Sequence, residues 1–164
     1  MTSEPTERAM PQVVMIIDDE PMVTQSIKNF LSLETDYEII ALTSPMAALE
    51  TLKTRQVDVI ISDYLMPDLN GIDFFLKAKE IQPQATRVLL TGYADKENAI
   101  KAINDVGLYQ YIEKPWENED LRLVLRNAIE KRQLLRRLEV KVAELDRASS
   151  DLKGLYSDLL KAFK

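Results

Sequence analysis

Short apolar runs alternate with amphipathic stretches five times from residue 12 onward. The apolar runs are rich in Val, Ile and Tyr, which favour strands, and they lie at 13–17, 38–42, 57–62, 87–90 and 109–112. The stretches between them predict helices at 21–34, 45–55, 71–81, 95–105 and from 117 onward. Alternation of this length favours parallel strands with helices on both faces. The predicted fold class is therefore α/β, a doubly wound parallel sheet of five strands whose order the pattern leaves open.

The last segment follows a different period. Between Glu117 and Phe163 there is no proline, and Gly154 is the only glycine. Two mostly apolar rows recur every seven residues, with Leu138, Leu145, Leu152 and Leu159 at d and Leu135, Val142, Ser149, Tyr156 and Phe163 at a. We expect a helix of about 70 Å that continues the fifth helix beyond the domain.

This heptad favours a parallel two-stranded coiled coil and hence a homodimer. Lys141 at g can pair with Asp146 at e of the partner, in the sense that parallel helices require. The alternative is a single amphipathic helix folded back on its own domain. We rank it lower, because so long a helix would outrun a domain whose radius of gyration is only ~14 Å.

Composition excludes several classes of site. The chain has no cysteine and no histidine, which excludes disulfides, thiolate or imidazole zinc sites, cysteine nucleophiles and histidine-based triads. A net charge of −6 argues against nucleic-acid binding by this chain. The basic residues of the fifth helix are interpreted as a solvated face rather than a DNA contact; they are Arg122, Arg126, Lys131, Arg132, Arg136 and Arg137.

The sequence predicts no contact with a membrane. No apolar run approaches the ~20 residues that a membrane helix needs. The N-terminus is polar and acidic and lacks the basic region and apolar core of a secretory signal, so residues 1–11 are expected to be a disordered leader. Absence of cysteine also fits a reducing compartment, and we expect a cytoplasmic protein.

Polar residues follow four of the predicted strands. Asp18 and Asp19 come after the first, Asp63 after the third, Thr91 after the fourth and Lys114 after the fifth. Each alone could be a helix cap, turn or solvated charge, but the carboxyl ends of parallel strands meet at one edge. A cluster of carboxylates suits Mg²⁺, which prefers oxygen ligands. An aspartate beside this ion can attack a phosphoryl group. The lysine and the threonine can then stabilise the transferred group.

Four segments then match a known family in order and spacing: DDE at 18–20, SDYLMPDLNG at 62–71, LLTGYA at 89–94 and YIEKPW at 111–116. They resemble the receiver domain of response regulators in two-component systems, over about residues 12–130. The resemblance implies the flavodoxin-like strand order 2-1-3-4-5. It also implies that a sensor histidine kinase phosphorylates Asp63 with Mg²⁺ as cofactor.

The resemblance also implies individual roles. Mg²⁺ would be held by Asp18, Asp19, Asp63 and the backbone carbonyl of Leu65. Thr91 and Lys114 would contact the phosphoryl group, Tyr111 would be the aromatic switch, and Pro115 would be a cis-proline. Leu65 and Tyr93 occupy positions that tune hydrolysis in the family, and crowding by both favours a longer-lived phosphoryl bond.

The favoured function is a phosphorylation-dependent signalling switch without a separate enzymatic activity. A metal-dependent phosphohydrolase is one alternative, although the first strand ends in Asp-Asp-Glu rather than DxD and no substrate cap is recognisable. A phosphorylation-independent dimerisation adaptor is the other, against which the intact Asp63, Thr91 and Lys114 argue. Residues 131–164 are expected to lead to an output domain outside this chain. The segment from Gly92 to Glu130 resembles receivers joined to cyclic-dinucleotide phosphodiesterases or transcription activators.

Overall fold

Strands and helices alternate along the chain as the apolar pattern predicts. A computed structural model describes residues 11–162, without the side chains of Tyr93 and Ile103. The predicted leader thus lies outside the described residues except for Pro11. The elements are β1 (Val13–Ile17), α1 (Pro21–Glu34), β2 (Glu38–Leu42), α2 (Pro45–Thr54), β3 (Val59–Asp63), α3 (Gly71–Ile81), β4 (Thr86–Thr91), a 3-10 turn (Tyr93–Asp95), α4 (Lys96–Val106), β5 (Gln110–Glu113) and α5 (Asn118–Ala162).

The five strands form one parallel sheet in the order β2-β1-β3-β4-β5, which confirms the predicted fold. Central β1 pairs with strands on both sides, so that Val14 lies opposite Ile39 of β2 and Val59 of β3. Strands β3 and β4 are buried along their whole length. Because they are covered on both faces, they contain continuous apolar runs, at 59–61 in β3 and 88–90 in β4.

Two apolar layers enclose the sheet. Alternate residues of a strand point to opposite faces, and in β1 Met15 and Ile17 enter one layer while Val14 and Ile16 enter the other. The first layer is completed from α2, α3 and α4 by residues that include Leu49, Leu52, Phe74, Phe75, Ala99 and Ala102. The second is completed from α1 and α5 by Ile27, Leu31, Leu121, Leu125, Ala128 and Ile129. The fold is therefore doubly wound.

Strand β3 begins two residues later than predicted and includes Asp63. The N–H of Val57 donates to Gln82 Oε1 at 3.0 Å, so a side chain rather than a neighbouring strand satisfies it. Asp58 Oδ2 accepts from the Val13 N–H at 2.8 Å. The entry to β3 is thus fixed by side chains that an apolar pattern does not register.

Helix α5 is one continuous helix of 45 residues, as predicted, and at 1.5 Å per residue it is about 68 Å long. It packs on the sheet as far as Arg132. Residues 137–162 are all exposed, so the helix does not fold back on its own domain. Leu135 is half-buried and lines a cavity of about 60 Å³ with Tyr109 and Lys131 of the same domain.

The prediction of a solvated basic face is wrong for Arg132, which is only 4% exposed. Arg136 Nη2 lies 2.8 Å from Oδ1 of the buried Asp58, without the alignment of a hydrogen bond. Burial lowers the pKa of Arg132, and the neighbouring Arg136 charge lowers it further. These contacts attach α5 to the amino end of β3, the strand that carries Asp63 at its other end.

The two glycines at opposite extremes of packing provide a test of the α3–β3 contact. A Cβ at Gly71 would overlap the Asp63 carbonyl oxygen and lie 2.9 Å from Leu89 Cδ1, whereas one at Gly154 would meet nothing within 4 Å. Because overpacking displaces β3, we expect Gly71→Ala to lower the free energy of unfolding by about 1–3 kcal/mol. Gly154→Ala should instead stabilise the exposed helix by about 1 kcal/mol. Urea denaturation followed by circular dichroism measures both, and a neutral Gly71→Ala would contradict the close approach.

Candidate functional site

The carboxyl edge of the sheet brings together the charged residues that the sequence places after three different strands. Asp18 follows β1, Asp63 ends β3 and Lys114 follows β5. One carboxylate oxygen from each of Asp18, Asp19 and Asp63 lies within 4.8 Å of the other two. Asp18 and Asp63 are buried, and Asp19 is the more accessible of the three. The acidic cluster is therefore a product of the topology, since Asp63 is distant in sequence from Asp18 and Asp19.

Lys114 bridges two of these carboxylates. Its Nζ lies 3.0 Å from Asp18 Oδ2 and 3.0 Å from Asp63 Oδ1. The other oxygen of Asp18, Oδ1, accepts from the backbone N–H of Glu20 at 2.9 Å, at the start of α1. The Lys114 backbone is itself fixed, because its N–H donates to the Thr91 carbonyl at 2.8 Å. The ammonium thus occupies a defined position between β1 and β3.

Burial and ion pairing have opposite effects on the pKa of Asp63 and on the pKa of Lys114. Burial raises the pKa of Asp63, and the Asp18 charge raises it further, although the Lys114 ammonium opposes the rise. Burial alone would lower the pKa of Lys114, but its ion pairs with Asp18 and Asp63 outweigh burial and raise it. An ion pair by itself would depress the pKa of the acid, so the rise at Asp63 shows that desolvation dominates there. One cation does not compensate two buried carboxylates.

The turn after β3 presents Asp63 to an open cavity. The N–H of Tyr64 donates to the Leu90 carbonyl at 2.9 Å, and the N–H of Gly71 donates to the Tyr64 carbonyl at 2.8 Å. Asn70 caps α3 by accepting from the Asp73 N–H at 2.8 Å. These bonds hold both ends of the turn, whose exposed Leu65 is one wall of a cavity of about 350 Å³ beside Asp63 and Lys114.

The predicted switch residues lie on β4 and β5. Thr91 is fully buried, and its hydroxyl donates to the Gly92 carbonyl at 3.2 Å. Tyr111 is half-buried against the first apolar layer and stands in register with Leu89. The Lys114–Pro115 peptide bond is cis. The side chain of Tyr93, expected to crowd the site, lies outside the described residues.

Two acidic residues of the cavity were not singled out from the sequence. Glu20 and Asp95 line it together with Asp19, Asp63 and Lys114. Glu20 belongs to the DDE motif, so its position was available. Asp95 lies in the turn between β4 and α4, where its N–H donates to the Gly92 carbonyl at 3.1 Å. No spacing rule marks such a residue, because its place depends on how the turn closes.

Oxygen ligands at this spacing fit a hard divalent cation. Mg²⁺ prefers carboxylate and carbonyl oxygens, keeps several waters and needs only a few protein ligands. Asp18, Asp19 and Asp63 could supply them, and the accessible Asp19 and the open cavity leave room for water ligands. The negative charge that Lys114 leaves uncompensated would attract such an ion.

Comparisons with known proteins agree with this geometry. A family model described as the response regulator receiver domain matches residues 14–126. The hydrogenase transcriptional regulatory protein HoxA of Cupriavidus necator is 32% identical over 117 residues, which are 71% of this chain and 24% of HoxA. This chain therefore spans about a quarter of the length of that relative.

Two solved structures share both the fold and appreciable sequence identity. A response regulator receiver domain from Clostridium thermocellum is 32% identical with a TM-score of 0.69, and the match covers 76% of this chain and 98% of that one. The signal receiver domain of an HD domain-containing protein from Pseudomonas fluorescens Pf-5 is 31% identical with a TM-score of 0.71, again over 76% and 98% of the two chains. Among residues 11–162, no helix is both long and apolar enough to cross a membrane.

Because the pKa of Asp63 is raised, replacing its carboxylate with a neutral amide should change the stability of the fold by an amount that depends on pH. A raised carboxyl pKa means that the folded state favours the protonated form, so this group costs stability as pH rises through its folded pKa. In metal-free buffer, Asp63→Asn should therefore be more stable than the wild type at about pH 7, and the gain should shrink towards about pH 4. Lys114 stays charged throughout this window because its own pKa is raised.

Urea denaturation at both pH values, with chelator present, checks this expectation. Asp68→Asn is the matched control, because Asp68 is an exposed carboxylate in the same turn after β3. A gain in Asp63→Asn that did not depend on pH would contradict desolvation as the dominant effect.

Proposed function

The chain belongs to the response regulator receiver domain family, and from that premise we propose that it is a phosphorylation-dependent switch of a two-component phosphorelay. A sensor histidine kinase donates the phosphoryl group, Asp63 accepts it, and the reaction takes place in the cytoplasm. The observation that carries the proposal is the convergence of Asp18, Asp19, Asp63 and Lys114 at the carboxyl edge of the sheet. Receiver domains are not separate enzymes beyond their own phosphorylation, and no further activity is proposed for this chain.

Mg²⁺ is the proposed cofactor, held by Asp18, Asp19, Asp63 and the backbone carbonyl of Leu65. When bound, it would neutralise oxygens of the transferred phosphoryl group. The three carboxylates support this role because their oxygens already lie within 4.8 Å of one another. Lys114 would supply a second positive charge, since its Nζ lies 3.0 Å from Asp63 Oδ1.

The transfer itself needs one nucleophilic oxygen. An Asp63 carboxylate oxygen forms the O–P bond while the P–N bond of a phosphohistidine breaks, and the electron pair returns to the imidazole of the kinase. Lys114 positions Asp63 and pairs with the phosphoryl oxygens as charge develops on them. Water entering through the cavity beside Leu65 would reverse the modification, so the exposed Leu65 is proposed to slow hydrolysis by occupying that space.

The added charge is proposed to change the face formed by α4, β5 and α5. A phosphoryl group adds about −1.5 to −2 charges, which attract the Lys114 ammonium and the Thr91 hydroxyl. That hydroxyl now donates to the Gly92 carbonyl, so turning to the phosphoryl group releases this bond at the start of the β4–α4 turn. Tyr111, half-buried on the adjacent strand, is proposed to follow into the space vacated by Thr91. In this proposal, breaking the hydrogen bond between Thr91 and Gly92 shifts the α4–β5–α5 face between two conformations.

The exposed part of α5 is proposed to pair with a second copy as a parallel two-stranded coiled coil. Leu138, Val142, Leu145, Leu152 and Leu159 are all exposed and lie on one seam. Leu135 is the first residue of the predicted seam, but it is half-buried against its own domain. We therefore propose that pairing between the two helices begins at Leu138. The helix would then carry the change at α5 to an output domain.

Labelling by acetyl phosphate with Mg²⁺ tests the acceptor. The wild type should gain one phosphoryl mass in intact mass spectrometry, and Asp63→Asn should gain none. Asp68→Asn removes an exposed carboxylate from the same turn and should be labelled like the wild type. Asp19→Ala should lose most of both its Mg²⁺ binding and its labelling, because an accessible ligand is removed without touching the Lys114 pair.

The acceptor role of Asp63 and the metal role of Asp19 are contradicted by different results. Full labelling of Asp63→Asn would exclude Asp63 as the acceptor. Equal Mg²⁺ affinity in the wild type and Asp19→Ala would exclude the metal role of Asp19. Thr91→Ala should bind Mg²⁺ normally and still be labelled, while a reporter of the β5–α5 face such as Trp116 fluorescence should no longer respond to phosphorylation.

The absence of cysteine makes the helix pairing directly testable by disulfide formation. Ser149 lies at a and faces its own counterpart in a parallel dimer, so Ser149→Cys should cross-link nearly completely on mild oxidation. Ser150 lies at b on the outer surface of the helix, and Ser150→Cys should not cross-link at the same rate. Similar rates for the two variants, or a monomeric chain at tens of micromolar by sedimentation, would contradict the parallel coiled coil.

A further inference from the structure

The amino edge of the sheet holds a buried guanidinium that the proposed switch does not use. Arg132 is 4% exposed, and within residues 11–162 its Nε and Nη1 have no hydrogen-bond partner. Leaving a buried charge without hydrogen bonds is costly, so such a group in a folded protein calls for something that binds it. Arg132 is therefore a candidate contact for a ligand.

The nearby carboxylate does not balance the charge at this edge. Asp58 lies close to Arg132 and Arg136, so one acid is shared between two guanidiniums. Its Oδ2 accepts from the Val13 N–H at 2.8 Å, and its Oδ1 lies 2.8 Å from Arg136 Nη2. The amino edge thus carries excess positive charge, opposite in sign to the excess around Asp63.

Arg132 lines an open cavity of about 380 Å³ between the loops that precede β3 and β4. Lys53 and Arg55 line it as well, and none of the described residues around it is acidic. Lys53 pairs with Glu50 at 2.8 Å and Arg55 pairs with Glu38, but both pairs are exposed. Because exposed ion pairs contribute little stability, both cations are available to a ligand that enters the cavity.

Hydrogen bonds from Gln82 hold the walls of the cavity. Its Nε2 donates to the Leu52 carbonyl at 2.7 Å and to the Arg55 carbonyl at 2.6 Å, while its Oε1 accepts from the Val57 N–H at 3.0 Å. These three bonds join the loop after α2 to the end of α3, so the walls do not depend on a ligand. The apolar part of the lining consists of Leu52, Ile81, Pro83 and Ala85.

We propose that this cavity binds a small organic anion, whose phosphate or carboxylate group pairs with Arg132 and whose apolar body lies against Leu52 and Ile81. A guanidinium pairs well with either anionic group. The volume of about 380 Å³ falls in the range of about 300–1,000 Å³ that is typical of small-molecule sites. A ligand here would contact α5 at its last buried residue, at the opposite edge of the sheet from Asp63. The proposal does not depend on phosphorylation of Asp63.

Titration of the full chain with three probes tests the class of ligand. The probes are phenyl phosphate, benzoate and inorganic phosphate, in buffer without divalent cations, where the negative edge around Asp63 should repel anions. Backbone amide NMR signals of Arg55, Gln82 and Gln84 should shift saturably with at least one organic probe, and the tighter one identifies the anionic group. Inorganic phosphate should bind about tenfold more weakly than phenyl phosphate, because it buries no apolar surface.

Substitution of Arg132 tests the anion contact. Arg132→Met removes the charge but keeps an unbranched side chain, and it should weaken binding of the tighter probe by about tenfold or more. Arg137→Met is the matched control, because it removes the same charge from an exposed position on the same helix. It should bind the probe like the wild type. Arg55→Met should weaken binding by about threefold, as expected for an exposed contact.

Three results would overturn the proposal. Shifts that do not saturate with either organic probe up to about 50 mM would leave only water at Arg132. Equal affinities for phenyl phosphate and inorganic phosphate, with no saturation by benzoate, would exclude an organic ligand. Equal affinities of Arg132→Met and Arg137→Met would exclude Arg132 as the contact. If Arg132→Met does not fold, the comparison of Arg55→Met with Arg137→Met decides, and equal affinities there would exclude the cavity.

Discussion

Two buried carboxylates facing one ammonium are the interaction on which the site depends. Asp18 and Asp63 come from neighbouring strands, and Lys114 reaches both at 3.0 Å. The arrangement leaves excess negative charge in a place where burial already disfavours it, as the raised pKa of Asp63 shows. The divalent cation that we propose for this site would compensate that charge.

The rest of the structure holds that edge in place. Strands β3 and β4 are buried along their length, and α3 approaches β3 so closely that Gly71 has no room for a side chain. The other end of β3 is fixed by Asp58, which accepts from the Val13 N–H and pairs with Arg136 of α5. A single strand therefore connects Asp63 at one end with the part of the long helix that leaves the sheet at the other.

Sequence patterns predicted the order of elements and the charged edge, because both follow from short-range periodicity and from the topology of parallel strands. They failed where side chains override the pattern. Val57 is predicted to open β3, but its N–H donates to the Gln82 side chain rather than to a neighbouring strand. Arg132 was placed on a solvated face, yet it is buried where α5 leaves the sheet. Asp95 was overlooked because turn closure, not spacing, brings it to the cavity. The presence of a charged side chain in the sequence does not show whether the fold will bury it.

The separation of Asp18 from Lys114 along the chain has a consequence for biosynthesis. The two residues lie 96 positions apart and meet only when β5 has joined the sheet. A nascent chain that has emerged as far as β4 already contains all three clustered acids, but it lacks their only bridging ammonium among the described ion pairs. The site that we propose for phosphoryl transfer would thus be completed late, after the last strand is made. The pairing that completes the site would therefore keep unfinished chains out of the proposed phosphorelay.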